Sequence, residues 1–375
     1  MRKILVINTS TIRAGGAIQV AINVIKQSFK EQDFDVYYIT NKILFELIAT
    51  NKSKTLIVSE YPSNIFATKV KREIRNYAES VKADVVYSVG APSYINFKCK
   101  EVLRLTNPWL IEKDTVAYKK LSFIGQFRAR LEVLVKKQYL NRAKYFITQT
   151  LDAKQKIVAN LGKKEENVYV IQNVYSYNFE EFVSLNFERD YKGVRNIICV
   201  SANYPHKNIE LLVGIAGLMK KNKKKNYKFF LTIPIEQWEG SHVNHLIKQY
   251  DVADYFVNLG KLKLDELVEV YKMAHVFFLP TLLEVFSVSF LESMIFDVPI
   301  ITTDFSFNKT ICGDAAMYLE DPFDVNAGLS YIELICEDEI VRNDLIRKGK
   351  NVLDGIPSNK DVYENHFIVL KQIVS

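Results

Sequence analysis

Short runs rich in Val, Ile, Tyr and Phe alternate with stretches of helical period along the whole chain, and this pattern narrows the fold more than any other feature. The first half offers strands at 3–8, 35–40, 55–59, 85–89, 101–106, 145–149 and 168–173, with helices at 17–30, 65–82 and 122–141 between them. The second half repeats the order, with strands at 196–201, 228–233, 255–259, 276–280 and 299–304. Its helices fall near 207–221, 241–250, 264–273 and 289–296. Strands separated by helices cannot pair as hairpins. They form βαβ units and a parallel sheet. With 375 residues, two such domains are expected rather than one. The polar, aperiodic segment 186–193 is read as the hinge, giving domains 1–185 and 186–357, with the final helix 358–375 returning to the first.

Parallel α/β sheets bind ligands outside the carboxyl ends of their strands. The loop after the first strand carries Gly15 and Gly16 at a helix start. Such glycines either make a tight turn or let backbone N–H groups approach an anion. In the second half, Tyr204-Pro205-His206-Lys207-Asn208 precedes an apolar helix. A lysine at a helix start opposes the dipole, so either a phosphate compensates it or it is a solvated loop residue. The stretch 280–294, PTLLEVFSVSFLESM, places Glu284 at a strand mouth and Glu292 on the next helix. If Ser289 caps that helix, Glu292 closes a capping box on its own backbone; if Ser287 caps it, Glu292 faces a ligand.

No apolar run approaches the ~20 residues needed to span a bilayer. The N-terminus MRKILVIN reads as a strand and not as a leader, so a cytoplasmic protein is expected. The four cysteines (Cys99, Cys199, Cys312, Cys336) form no CxxC pair, which suits a reducing compartment and no structural zinc. Charge is unevenly spread. Residues 1–185 hold 29 Lys+Arg against 17 Asp+Glu, whereas residues 186–375 hold 21 against 26. The basic half implies a polyanion or an anionic surface as partner, and no nucleic-acid recognition motif is present. Within it, residues 117–146 carry eight Lys/Arg and one acid. Phe123, Ile124, Phe127, Leu131, Leu134 and Val135 lie at helical spacing there and are expected to face the core, with the charges toward a membrane-proximal, lipid-linked acceptor.

Taken together, these loops resemble the retaining glycosyltransferases of family 4 (group 1). The likeness is strongest over 196–322, where Glu284 and Glu292 match E-x7-E within NLGKLKLDELVEVYKMAHVFFLPT and DVPIITTDFSFNKTICGDAAMYLEDP. It implies an α/β GT-B fold: two Rossmann-like, doubly wound domains facing across a cleft. It also implies a hexosyl transfer from a UDP- or GDP-sugar to a glycan or polyprenyl-diphosphate-linked acceptor, in bacterial surface polysaccharide synthesis, with no cofactor or metal. By the same resemblance Lys207, Gly15 and Gly16 meet the donor diphosphate, as do the N–H groups of Phe286, Ser287 and Val288. Glu292 takes the ribose hydroxyls, Glu284 lies by the transferred sugar, and Asn107 stands where the family often has a catalytic His. The family's arginine before the lysine is absent, with Ser201 and Ala202 in its region, a loss of ~1.5–3 kcal/mol of phosphate stabilisation. Two other activities keep the same fold: nucleotide-sugar epimerisation, or non-catalytic nucleotide-sugar binding.

Overall fold

The computed structural model describes residues 2–13, 16–48 and 50–375. The chain forms two compact units. The first comprises Met1–Lys113, Phe127–Asn173 and Ser358–Ser375, and the second Asp114–Gln126 and Val174–Pro357. Gly15 lies outside the described residues.

In the first unit, seven strands form one parallel sheet: β1 Lys3–Asn8, β2 Phe34–Asn41, β3 Thr55–Val58, β4 Val85–Ser88, β5 Lys100–Arg104, β6 Tyr145–Thr148 and β7 Val168–Val170. Their order is β3-β2-β1-β4-β5-β6-β7, so the winding reverses between β1 and β4. At that point Thr11 donates its hydroxyl to the Gly90 carbonyl at 3.0 Å. A Cβ at Gly90 would stand 2.6 Å from the Thr11 oxygen, so only glycine lets the two loops approach this closely. The helix Asn359–Val374 closes one face of this sheet. Tyr363 accepts from Asn23 at 2.9 Å, and the His366 ring packs 5.8 Å from Tyr87. Burial, and the neighbouring Arg104 guanidinium, push the His366 imidazole down to about 3.

The second unit is a six-stranded parallel sheet: β8 Arg195–Cys199, β9 Tyr227–Leu231, β10 Phe256–Asn258, β11 Val276–Leu279, β12 Ile300–Thr303 and β13 Ala316–Leu319. Its order, β10-β9-β8-β11-β12-β13, puts the reversal between β8 and β11. All four residues of β11 are buried, as a central parallel strand covered on both faces requires. Phe277 meets Phe290 of the helix Val288–Ile295 edge-on at 5.9 Å, which fixes that helix against β11. Asp297, at a φ of 53°, ends it in a left-handed cap, with Val298 N–H bonded to the Ser293 carbonyl at 2.9 Å.

Two expectations change here. Segment 186–193, expected as the hinge, is bound to the second unit. The Arg189 guanidinium donates to the carbonyls of Phe187, Tyr271, Phe296 and Asp297, and Phe187 N–H donates to Asp297 Oδ2 at 3.0 Å. The polar composition that suggested a linker is instead a set of donors spent on carbonyls at helix ends. The second change concerns the helix Phe123–Leu140. Its apolar stripe was expected to be core, but Phe123 is 87% exposed, Phe127 67% and Leu134 62%, and only Leu140 is buried. Helical spacing sorts residues onto a face without saying what covers it.

Candidate active site

The reversal between β8 and β11 brings two loops together: 200–208 after β8 and 280–287 after β11. Leu282 N–H donates to the His206 carbonyl at 2.7 Å, which ties the loops at their middle. Buried hydroxyls hold the β11 loop from behind. Thr303 donates to the Thr281 carbonyl, and Asn308 donates to the Thr303 carbonyl at 3.0 Å.

On this base Lys207 and Glu284 form an ion pair, with side chains 14% and 12% exposed. Thr281 adds a hydroxyl bond to the same Glu284 oxygen at 3.2 Å. Lys207 does not begin a helix, as the sequence suggested. It ends the single 3₁₀ turn Pro205–Lys207; Asn208 follows at a φ of 53°, and the α-helix starts at Glu210. The charge that seemed to need a phosphate is therefore met in this structure by Glu284. Asn208 donates to the Pro322 carbonyl at 2.8 Å, anchoring the turn. His206, packed against Tyr204 at 5.6 Å, is driven down to about 4, chiefly by burial, so it carries no charge at neutral pH.

Ser287 is the residue that precedes the helix Val288–Ile295, which settles the alternative left by the sequence. Neither serine hydroxyl caps it: Ser287 and Ser289 bond each other at 2.8 Å. The capping box at Ser289 does not form, because Glu292 accepts from the Tyr271 hydroxyl at 2.8 Å instead. Its other carboxylate oxygen has no recorded partner among the described residues. Loss of water around this carboxylate pushes it up to about 7, against the lowering effect of Tyr271. The backbone N–H groups of Phe286, Ser287 and Val288 likewise have no acceptor among the described residues, leaving a row of donors two to four residues after Glu284 in the chain.

Tyr271 carries no sequence signal for this role, because only the packing of the helix Leu264–Met273 brings it to Glu292. The segment 114–126 was also unforeseen. Its turn Val116–Lys120 packs on Pro205–Lys207, Thr115 donates to the Leu282 carbonyl at 3.3 Å, and Lys120 lies 3.4 Å from Glu210. Ser201, near the missing arginine, spends its hydroxyl on the adjacent Ala202 carbonyl at 2.9 Å.

In the first unit Gly16 begins the helix Gly16–Ser28, with open space where a Cβ would be. Asn107 is the cap of the short helix Pro108–Ile111, its side-chain oxygen accepting from Trp109 N–H at 3.1 Å. That bond occupies the oxygen and leaves the amide N–H₂ as the group able to meet a ligand. A pocket of about 710 Å³ opens at the β1/β4 reversal, with Arg13, Lys71, Arg128 and Lys136 among its walls and Ile65 and Leu131 as apolar lining. Among the described residues no cluster of three or more His, Cys, Asp or Glu has the arrangement of a metal site, and the cysteines are unpaired. No described helix is long and apolar enough to cross a membrane.

Residues 185–352 match the family of glycosyl transferases group 1. The matched residues all lie in the second unit. The O-antigen chain mannosyltransferase RfbU of Salmonella typhimurium is 25% identical over 219 residues, 57% of this chain and 56% of that protein. The match thus spans little more than half of that relative's length. Two solved structures extend the likeness to the whole fold. A glycosyltransferase from Rickettsia africae superposes with a TM-score of 0.73 at 13% identity, over 100% of this chain and 99% of its own. The UDP-glucose complex of Anabaena Alr3699/HepE gives 0.70 at 14%, over 99% and 100%. The two parallel sheets and these neighbours identify the fold as GT-B.

Proposed function

We propose that this group 1 glycosyltransferase moves a hexosyl residue, with retention of configuration, from a UDP- or GDP-sugar to a glycan or polyprenyl-diphosphate-linked acceptor in bacterial surface polysaccharide synthesis. One observation carries the reading: the switch-point loops of the second unit pair Lys207 with Glu284, and the helix that follows the second of those loops carries Glu292, held by the Tyr271 hydroxyl. The leaving nucleoside diphosphate gains negative charge as the glycosidic bond breaks. Lys207 and the helix-start N–H groups are donors aimed at such charge. Glu284, ionised, favours positive charge on the anomeric carbon, as carboxylates do in glycoside hydrolysis. Glu292 presents its free oxygen to ribose hydroxyls, while Tyr271 holds the other. The family resemblance assigns Gly15 and Gly16 to the diphosphate and Asn107 to the sugar. No metal or cofactor is assigned, and the working compartment is the cytoplasm.

The O-antigen mannosyltransferase relative and the UDP-glucose-bound neighbour support a nucleotide-sugar donor and a glycan acceptor. The test is to incubate the protein with UDP- and GDP-hexoses and lipid-linked or free glycan acceptors, and to read the anomeric proton of the product by NMR. An axial donor linkage retained in the product is expected. Inversion would refute the retaining reading. Epimerised or free sugar in the absence of acceptor would replace transfer with epimerisation or hydrolysis. Nucleotide binding with no turnover on any donor would make the chain a non-catalytic binder.

A further inference from the structure

The exposed stripe of the helix Phe123–Leu140 needs a partner. At 3.6 residues per turn, its six apolar residues fall within an arc of about 120°. Phe123, Phe127 and Leu134 share one edge of that arc, and Leu131, Ile124 and Val135 the other. Arg130 and Lys137 flank the first edge and Arg128 the second, while the helix's single acid, Glu132, is paired with Lys136. Soluble proteins seldom leave so continuous an apolar face in water. The face continues onto a loop of the first unit. Ile65, 76% exposed, lines the same pocket as Leu131 and Val135, and Phe66 beside it is 88% exposed.

Aromatic and aliphatic residues on one face with Arg and Lys along its borders are the pattern of a helix lying in the plane of a bilayer interface. Charge selects among occupants. A second copy stacked on this face would bring Arg128, Arg130 and Lys137 against their own kind, whereas anionic headgroups would neutralise them. We propose that the face formed by Phe127, Leu131, Leu134 and the Ile65-Phe66 loop docks on an anionic lipid bilayer, with Arg128, Arg130 and Lys137 at headgroup level. The docking does not depend on the glycosyl-transfer reading, and its test needs no substrate.

The purified full chain is floated with vesicles of phosphatidylcholine alone, or mixed with phosphatidylglycerol. It rises with the anionic vesicles, and less so as salt is added. The double variant Phe127→Ser/Leu134→Ser weakens binding about tenfold or more, since each apolar side chain leaves the bilayer. Arg130→Gln/Lys137→Gln weakens it about 25-fold, at the usual worth of a cation near an anionic surface. The melting curve of Phe127→Ser/Leu134→Ser stays with the wild type, because both side chains are exposed; Lys137 is half-buried, so the charge variant is floated below the onset of its own melting curve. Flotation that is absent, or equal on neutral and anionic vesicles, overturns the proposal. So does a dimer in sedimentation velocity that Phe127→Ser/Leu134→Ser converts to monomer without altering flotation, which would assign the stripe to a second copy.

Discussion

Replacing Glu284 by Gln should separate donor binding from transfer, and in opposite directions. In the ligand-free protein the Lys207 ammonium is committed to Glu284, with Thr281 completing the carboxylate's shell. An incoming diphosphate has to draw the ammonium away or share it. A hydrogen bond to a charged group contributes ~1.5–3 kcal/mol, and this pair belongs at the lower end because neither side chain is fully buried and a glutamine oxygen still accepts. Glu284→Gln therefore releases about 1.5 kcal/mol to a competing phosphate, or roughly tenfold tighter binding of UDP or GDP. Glycosyl transfer should meanwhile fall about a hundredfold, because the charge facing the anomeric carbon is gone. Titration calorimetry with the nucleoside diphosphate at fixed salt reads the first effect, and single-turnover transfer the second. Lys207→Ala supplies the contrast, weakening binding. If Glu284→Gln binds nucleotide no better than wild type, or loses affinity in step with Lys207→Ala, the carboxylate is not the group that competes for the lysine.

Glu292 should make both stability and donor affinity depend on pH. Its carboxyl, raised from 4.5 to about 7, prefers the neutral form when folded, so the stability it contributes is complete below about pH 4.5 and is lost as pH rises through about 7. The melting temperature of the ligand-free protein should decline over that window relative to Glu292→Gln, while nucleotide affinity should rise over it because ionised Glu292 is the better acceptor. A wild-type-minus-variant difference that stays flat with pH would remove both effects. Arg189→Ala should strip four carbonyls of their shared donor and cost about 3 kcal/mol, or roughly 6–12 °C in the second unit's calorimetric transition. Arg189→Lys should recover only part of this, and a shift under about one degree in the alanine variant would mean that the guanidinium bonds are not what holds segment 186–193.

Strand positions were legible to within a residue or two, except that β7 stops at Val170 where the run to 173 was expected, because parallel strands are buried on both faces and read as continuous apolar runs. β13 escaped: it is an edge strand, and Met317 and Tyr318 at its centre are half-buried, so its pattern is diluted. Glu284 and Glu292 were legible as a pair, but their partners were not. Lys207 lies 77 residues from Glu284, and Tyr271 lies 21 from Glu292, distances that only the sheet order and helix packing close. The stripe from Phe123 to Val135 was read correctly as a face and wrongly as core. The residues that suit a protein interior also suit hydrocarbon, and period alone does not separate the two. Lys207 was misplaced for a related reason: Asn208 adopts the left-handed conformation and delays the helix by three residues, which an apolar pattern does not record.

The first sheet is closed by a helix encoded after the whole second unit. Until Ser358–Ser375 is made, the face of β4 that receives His366 and Tyr363 stays wet, with Tyr87 and Arg104 beside it. On the ribosome the whole chain of the second unit is made before the first unit's last segment, so the usual order of domain completion is inverted. A stop codon or a nick just ahead of Ser358 would therefore damage the part of the protein encoded furthest away, and quality-control proteases would meet it as an amino-terminal defect.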